Sequence, residues 1–300
     1  MSPLADRTAT SLLAAHLADV VSRTISVREQ FRLLCLEGHE LGPFLPELGR
    51  IRELSFRAAG QGTGLPRDLS PADPDAHHIL IWDHELRQMA GALRLHVLAE
   101  APPATPLEDC FSFTPAFWAQ YEDGLEIGRL FLHPDYASQN SLLLRLLWHG
   151  VDYYLDTTAT HHPTLFGVLS LPAGALSSYQ YTLMQYLEQH HLHPGFGSLV
   201  RSKRAPLPEP CLAVLAELPP AYFDLPAVQA FVRQKGHPSV PALFRLYSHW
   251  QAELLCTHLD PSFNNSLDFL LAIDLRNIST EMARWFLPRL AKIRQASAVA

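Results

Sequence analysis

Apolar residues recur along this chain at two periods, and the change from one to the other outlines its elements. From Pro46, PELGRIRELSFRAAG sets Leu48, Ile51 and Leu54 three apart, with Arg50, Arg52 and Arg57 interleaved. That is near helical spacing, and the glycine run Gly60–Gly64 predicts the helix end. HHILIWDH and RQMAGALRLHV are strand-like runs joined by a polar turn at Glu85–Gln88, a hairpin signal with Gly91 as a candidate bulge. LEIGRLFLHP reads as a strand in which Glu126, Gly128 and Arg129 interrupt apolar Leu125, Ile127 and Leu130. SLLLRLLWHGVDYYLD is apolar on most faces and predicts a buried helix. TLFGVLSL follows as a buried strand, then SSYQYTLMQYLEQHH as a helix capped by Ser177 or Ser178. RSKRAPLPEP combines bases with prolines and reads as an exposed connector. Beyond it the pattern predicts helices at 225–235 and 241–251, strands AELLCTHL and SLDFLLAIDL about a DPSFNN turn, and a helix from Thr280. Residues 1–25 read as an appendage with a frayed amphipathic helix. Residues 99–124, with Pro102, Pro103, Pro106 and Pro115, read as a loop or short helices.

Composition narrows the class. With 48% apolar and 18% charged residues, the 300-residue chain has material for a buried core and excludes a disordered or fibrous protein. The net charge of 23 − 30 = −7 argues against a nucleic-acid binder, which needs a basic surface. Cys35, Cys110, Cys211 and Cys256 are too sparse for a disulfide scaffold, and no pair has metal-ligand or redox spacing. Thr157–Leu187 carries no Asp, Glu, Lys or Arg, but His161, His162, Pro163 and Pro172 break it, against a membrane span. The reading is a soluble protein of a reducing compartment. The 16 histidines include the pairs His77-His78 and His161-His162 and the cluster His190, His191 and His193. Adjacent side chains diverge, so no metal site is expected. No nucleophile elbow or P-loop is present, and GQGTG lacks the strand–helix context of a dinucleotide fingerprint.

LEIGR is the informative object. By strand alternation, Glu126 and Gly128 fall on one face and Ile127 and Arg129 on the other, unless a bulge changes the phase. Charged groups in an apolar strand cost desolvation energy unless they are paired or functional. Two readings stand side by side: a buried ion-pair network with Asp68, Asp73 or Arg94 as partners, and a reaction centre.

Taken in order, ELGRIRELSFRAAGQGTG, DLSPADPDAHHILIWD, MAGALRL, LEIGRLFLHPDY, SLLLRLLWHGVDYYL and LFGVLSL resemble the GNAT-superfamily N-acyltransferases of ornithine- and glycine-lipid synthesis, often labelled hemolysin. The likeness runs on through LVRSKRAP and DPSFNNSLDFLLAIDL, over roughly residues 44–290. The resemblance implies an α+β fold: a mixed, V-split sheet flanked by helices, shared with acyl-homoserine lactone synthases, plus a C-terminal α/β extension. The corresponding division is an N-terminal extension at 1–25, an acyltransferase core at 26–205 and a C-terminal extension at 206–300. It further implies a fatty, including 3-hydroxy, acyl donor on acyl carrier protein and an amino-acid amine as acceptor, with no cofactor or metal bound. Positions matching Arg52, Phe56, Asp68, Asp73, Arg94, Glu126 and Arg129 surround the reaction centre in that family. Leu93, where the pattern has an aromatic, and Pro71-Ala72 before Asp73 depart from it, which bears on the amine acceptor.

The chemistry suits these residues. A nucleophilic amine must be neutral, so a base takes its proton; Glu126 is the candidate. Arg129 and Arg94 are candidates for gripping an acceptor carboxylate or orienting acids, with Asp68 and Asp73 holding the arginines or capping turns. Tyr136–Ser141 has no glycine to cradle a CoA pyrophosphate, which favours acyl-phosphopantetheine on the carrier over acyl-CoA. Docking an acidic carrier needs a local basic patch, and Arg201, Lys203 and Arg204 are the densest cluster. The expected location is cytoplasmic, with peripheral contact to the inner membrane. Competing readings are a synthase of acyl-homoserine lactone type and a non-catalytic module that binds acyl chains or the carrier.

Overall fold

The computed structural model describes residues 1–98, 105–121, 123–158, 164–172, 186–188, 190–204, 242–289 and 291, together with 226, 229, 230 and 233. In chain order the elements are α1 (Thr10–Asp19), β1 (Thr24–Arg28), β2 (Phe31–Glu37), α2 (Phe44–Ala58), β3 (His77–Asp83), β4 (Gln88–Val97), β5 (Phe111–Phe113), α3 (Pro115–Tyr121) and β6 (Leu125–Leu132). Then come α4 (Asn140–Thr157), β7 (Thr164–Leu171), β8 (Val200–Ser202), α5 (Ala242–His249), β9 (Glu253–Asp260), β10 (Ser266–Asp274) and α6 (Thr280–Phe286). The predicted helices at 177–191 and 225–235, most of the connector and His161-His162 lie outside the described residues, wholly or in large part.

The chain folds into two compact units: residues 1–105, 125–162 and 279–300 form the first, residues 106–124 and 163–278 the second. In the first, β1, β2, β3, β4 and β6 pair in that order, every pair antiparallel. One face carries Leu34, Leu36, Leu80, Trp82, Ala92 and Phe131, closed over by Leu13 of α1 and by Phe44, Leu48 and Ile51 of α2. The N-terminal stretch thus packs on this unit, and its Thr8 N–H donates to Glu47. The opposite face, with Ile79 of β3, receives α4, whose Gly150 backbone approaches that side chain. In the second unit β10 lies between β7 and β9, antiparallel to both, and β5 pairs with β8. The class is α+β, with largely antiparallel sheet flanked by helices.

Three local outcomes depart from the expectations. Strands β1 and β2 occupy a stretch the periodicity leaves without an element. β1 is a largely exposed edge strand, and β2 is buried on both faces, so neither alternates cleanly. The 99–124 stretch contains strand β5 as well as short helices. Its partner β8, Val200–Ser202, runs into the start of the expected connector. The bulge anticipated at Gly91 is present, with Ala90 left between the pairs Ile81–Gly91 and Trp82–Met89.

Candidate active site

A second bulge shapes the candidate site. Ala92 of β4 pairs with Phe131, but Arg94 pairs with Gly128, so β6 carries one residue more than β4 between these points. Arg129 takes the strain, with φ +51°. Strict alternation would turn Arg129 away from Glu126. That expectation fails because the left-handed residue breaks the phase: Arg129 Nη1 donates to Asp68 Oδ2 at 3.2 Å. Glu126 remains on the face of Gly128 and Arg94, toward α2, and accepts from Arg94 Nη2 at 3.4 Å and from Thr105 Oγ1 at 3.2 Å.

From Glu126 a continuous network runs under α2. Arg94 Nη1 donates to Ser70 Oγ at 2.9 Å and to Asp73 Oδ1 at 3.3 Å. Asp73 also accepts from Arg52, with Nη1 at 3.1 Å from both carboxylate oxygens and Nη2 at 3.2 Å from Oδ1. Arg52 Nη1 further donates to the Asp68 carbonyl at 3.3 Å. Three arginines (52, 94 and 129) thus meet three carboxylates (68, 73 and 126), and 3 − 3 leaves no net charge. Pairing of this kind is what makes ionised groups tolerable at 0–3% exposure. Arg129 is the exception, with a side chain 28% exposed. It is the cation of the set that still meets solvent.

The electrostatics follow from the burial. Burial works against ionisation of Asp73, but Arg52 and Arg94 outweigh it and hold its carboxyl below the usual range. Burial draws the Arg52 guanidinium downward, opposed by Asp73 and Asp68. His78, paired across the strands with Arg94, has its pKa pushed down to about 4 chiefly by burial. Its Nε2 donates to the Asp73 carbonyl at 2.8 Å. The neutral imidazole therefore holds the acidic loop by its backbone while the arginines hold its side chain. Gly38 lets that loop come close: a Cβ there would stand 2.2 Å from the Pro74 carbonyl oxygen.

Of the residues picked out along the chain, Arg52, Asp68, Asp73, Arg94, Glu126 and Arg129 come together in this network. Phe56, one helical turn beyond Arg52, packs half-buried against the hydrophobic cluster of α1 and α2. Arg201, Lys203 and Arg204 belong to the other unit, where β8 and the turn after it leave them exposed. Lys203 Nζ donates to the Glu108 carbonyl. Sequence reasoning missed Ser70, His78 and Thr105. His78 could have been found from the β3–β4 register opposite Arg94; Ser70 and Thr105 carry no local signal.

Residues 51–149, from Arg52 in α2 into the first part of α4, match the family described as an acetyltransferase (GNAT) domain. Over 129 residues the chain is 30% identical to a glycine N(alpha)-acyltransferase of Bacteroides thetaiotaomicron, covering 38% of each chain. Over 122 residues it is 29% identical to a glycine N(alpha)-acyltransferase of Phocaeicola vulgatus, covering 36% of this chain and 37% of that one. The chain thus spans less than two fifths of the length of the curated relatives it matches. Among solved structures, the acyl-homoserine lactone synthase LasI superposes with a TM-score of 0.34 at 15% identity, over 47% of this chain and 71% of that one. That superposition is too loose to transfer any feature.

Proposed function

Starting from a chain that carries a GNAT domain over residues 51–149, we propose that this protein is an N-acyltransferase moving a fatty acyl group from a thioester to the amine of glycine. The observation that carries the reading is Glu126, a buried carboxylate beside a β-bulge, within reach of Arg94 and Thr105. The acceptor is suggested by the two glycine N(alpha)-acyltransferase relatives.

Glu126 takes a proton from the glycine ammonium, directly or through one water, and the neutral amine attacks the thioester carbonyl. A bulge leaves backbone groups out of the ladder, and an N–H at Arg129–Leu130 is the donor we assign to the resulting oxyanion. Collapse of the tetrahedral intermediate forms the amide and expels the donor thiolate, which takes the second proton given up by the amine nitrogen, while Glu126 returns its own to solvent. Arg52 and Arg94 are fully buried, whereas Arg129, though bonded to Asp68, keeps 28% of its side chain open to solvent, so Arg129 is the guanidinium we assign to the glycine carboxylate. The donor is acyl-phosphopantetheine on acyl carrier protein. The approach to α4 is a 3-10 helical stretch, Pro134–Gln139, without the glycines of a CoA-pyrophosphate turn, which favours the carrier-bound donor. No helix among the described residues is long and apolar enough to cross a membrane. A single-chain amphiphilic product suits loose attachment at a cytoplasmic membrane face.

The test is direct. Purified protein is given acyl carrier protein loaded with a fatty acyl group, plus glycine, and product is read by mass spectrometry. N-acylglycine is expected, and Glu126→Gln should lower kcat by about two to four orders of magnitude with its melting temperature nearly kept. A folded Glu126→Gln protein with wild-type turnover would remove Glu126 from the mechanism. Preference for another amine would replace glycine as the acceptor.

A further inference from the structure

Histidine spacing argues against a metal site along the chain, but the fold brings together ligands that spacing cannot see. In the second unit Cys110, just before β5, meets His258 and Asp260, two apart on β9. Their Sγ, an imidazole nitrogen and a carboxylate oxygen lie within 4.8 Å of one another. Cys110 Sγ stands 3.7 Å from Asp260 Oδ2.

The setting of His258 points the same way. It is 3% exposed, and the Phe111 ring packs on it with centroids 5.4 Å apart. Its Nδ1 lies 2.7 Å from Ser202 Oγ, while Nε2 has no hydrogen-bond partner among the described residues. Ser202 Oγ also accepts the Arg204 N–H at 3.3 Å and donates to the Arg204 carbonyl at 3.1 Å. A hydroxyl whose proton goes to that carbonyl can only accept from Nδ1–H. Nε2 is then an unprotonated lone pair, the nitrogen left to ligate. An outer hydrogen bond that sets the tautomer and ring orientation is the usual support of a metal-bound imidazole, and a buried polar atom left unmet is costly.

We propose that Cys110, His258 and Asp260 form a site for a zinc-class divalent cation. Sulfur, nitrogen and oxygen donors together suit zinc and disfavour calcium or magnesium, which take oxygen ligands. Bond lengths of about 2.3 Å to sulfur and about 2.0–2.2 Å to nitrogen and oxygen place neighbouring ligand atoms of a tetrahedral shell roughly 3.3–3.7 Å apart. Cys110 and Asp260 already stand at about that separation; the widest pair closes by about 1 Å. Binding releases the thiol proton to solvent, and thiolate plus carboxylate balance the dication. A water completes the shell. Buried Asp268, paired with His258 across β9–β10, adds negative charge nearby. The cation ties the β5–β8 pair to β9. Lys203 belongs to the same tie, its N–H donating to the Cys110 carbonyl at 2.9 Å, so the site braces the turn that presents Arg201, Lys203 and Arg204. None of this depends on the acyl-transfer reading.

The experiment uses the full chain, stripped with a chelator and titrated with Zn(II) and, separately, Co(II). Expected are about one equivalent of zinc retained on dialysis, a rise of several degrees in melting temperature, and thiolate-to-cobalt charge-transfer absorption in the near ultraviolet. Cys110→Ser, nearly isosteric, should abolish that absorption and weaken binding by about ten-fold or more while circular dichroism stays native. His258→Gln should weaken binding similarly, and Cys35→Ser should change neither. Retention well below one equivalent overturns the proposal. So does cobalt binding without thiolate absorption, which would mean adventitious surface histidines, or absorption unchanged in Cys110→Ser.

Discussion

His78 shows at the level of one residue what burial does to this site. Its pKa in the folded chain is about 4, against 6.5 for a free imidazole, because the buried ring cannot hold a charge cheaply. Between these values the unfolded chain binds a proton that the native chain refuses, so stability falls as pH drops from 6.5 toward 4. The difference of about 2.5 in pKa corresponds to roughly 3 kcal/mol lost across that window. Asp73 acts in the same direction at lower pH. Its carboxyl is held below its usual range, so its contribution is present above the unfolded pKa and is lost as pH falls through the folded one. His78→Gln keeps a donor for the Asp73 carbonyl but has no proton to gain. Urea denaturation at a series of pH values should show the wild type losing up to about 3 kcal/mol more than this variant between pH 7 and pH 4. Parallel curves would mean that His78 does not stay neutral in the fold.

At the scale of elements, β6 and its bulge decide whether the charged residues form one site or two. The extra residue carries Arg129 to the α2 face, and Gly128 leaves room for Glu126: a Cβ on Gly128 would lie 2.6 Å from Glu126 Oε1 and 3.5 Å from Arg94 Nη2. The carboxylate is the soft partner, so Gly128→Ala should push it off Arg94 with little damage to the strand, where alanine is otherwise no worse than glycine. Acyl transfer with carrier-bound donor should then fall by about ten-fold or more in kcat, while the melting temperature moves by only a few degrees. Steady-state kinetics beside a thermal melt check this. Wild-type kcat in a folded Gly128→Ala protein would show that the position of Glu126 does not govern the rate.

At the scale of the whole molecule, the chain carries net −7 and the proposed carrier partner is acidic, so attraction must be local. Arg201, Lys203 and Arg204 are exposed and consecutive but for Ser202, whose side chain turns to His258. Exchanging all three for glutamate should raise KM for acyl carrier protein and flatten its dependence on salt, because steering is screened beyond about 8–10 Å at ordinary ionic strength. Initial rates over a range of carrier and salt concentrations measure both. A salt dependence identical to wild type would place carrier docking elsewhere.

By itself the sequence determined where apolar periodicity is strong. Helix α2, the β3–β4 hairpin, strand β6, helix α4 and the β9–β10 pair all follow from it, because each buries a repeating set of side chains. Their motif order also makes Arg52, Asp68, Asp73, Arg94, Glu126 and Arg129 candidates before any contact is known. Tertiary structure decided the rest. Strands β1 and β2 have no alternation to read: one is an exposed edge, and the other is buried on both faces. The common face of Glu126 and Arg129 depends on a bulge set by the pairing of β6 with β4, a register that no local spacing encodes. His78 becomes a support of Asp73 only when the loop before β3 folds back over it. Cys110 and His258 are 148 positions apart, since 258 − 110 = 148, and meet because the second unit brings the approach to β5 against the end of β9. Periodicity records which side of an element is buried; which buried groups meet is a property of packing, and the chemistry of this chain lies in those meetings.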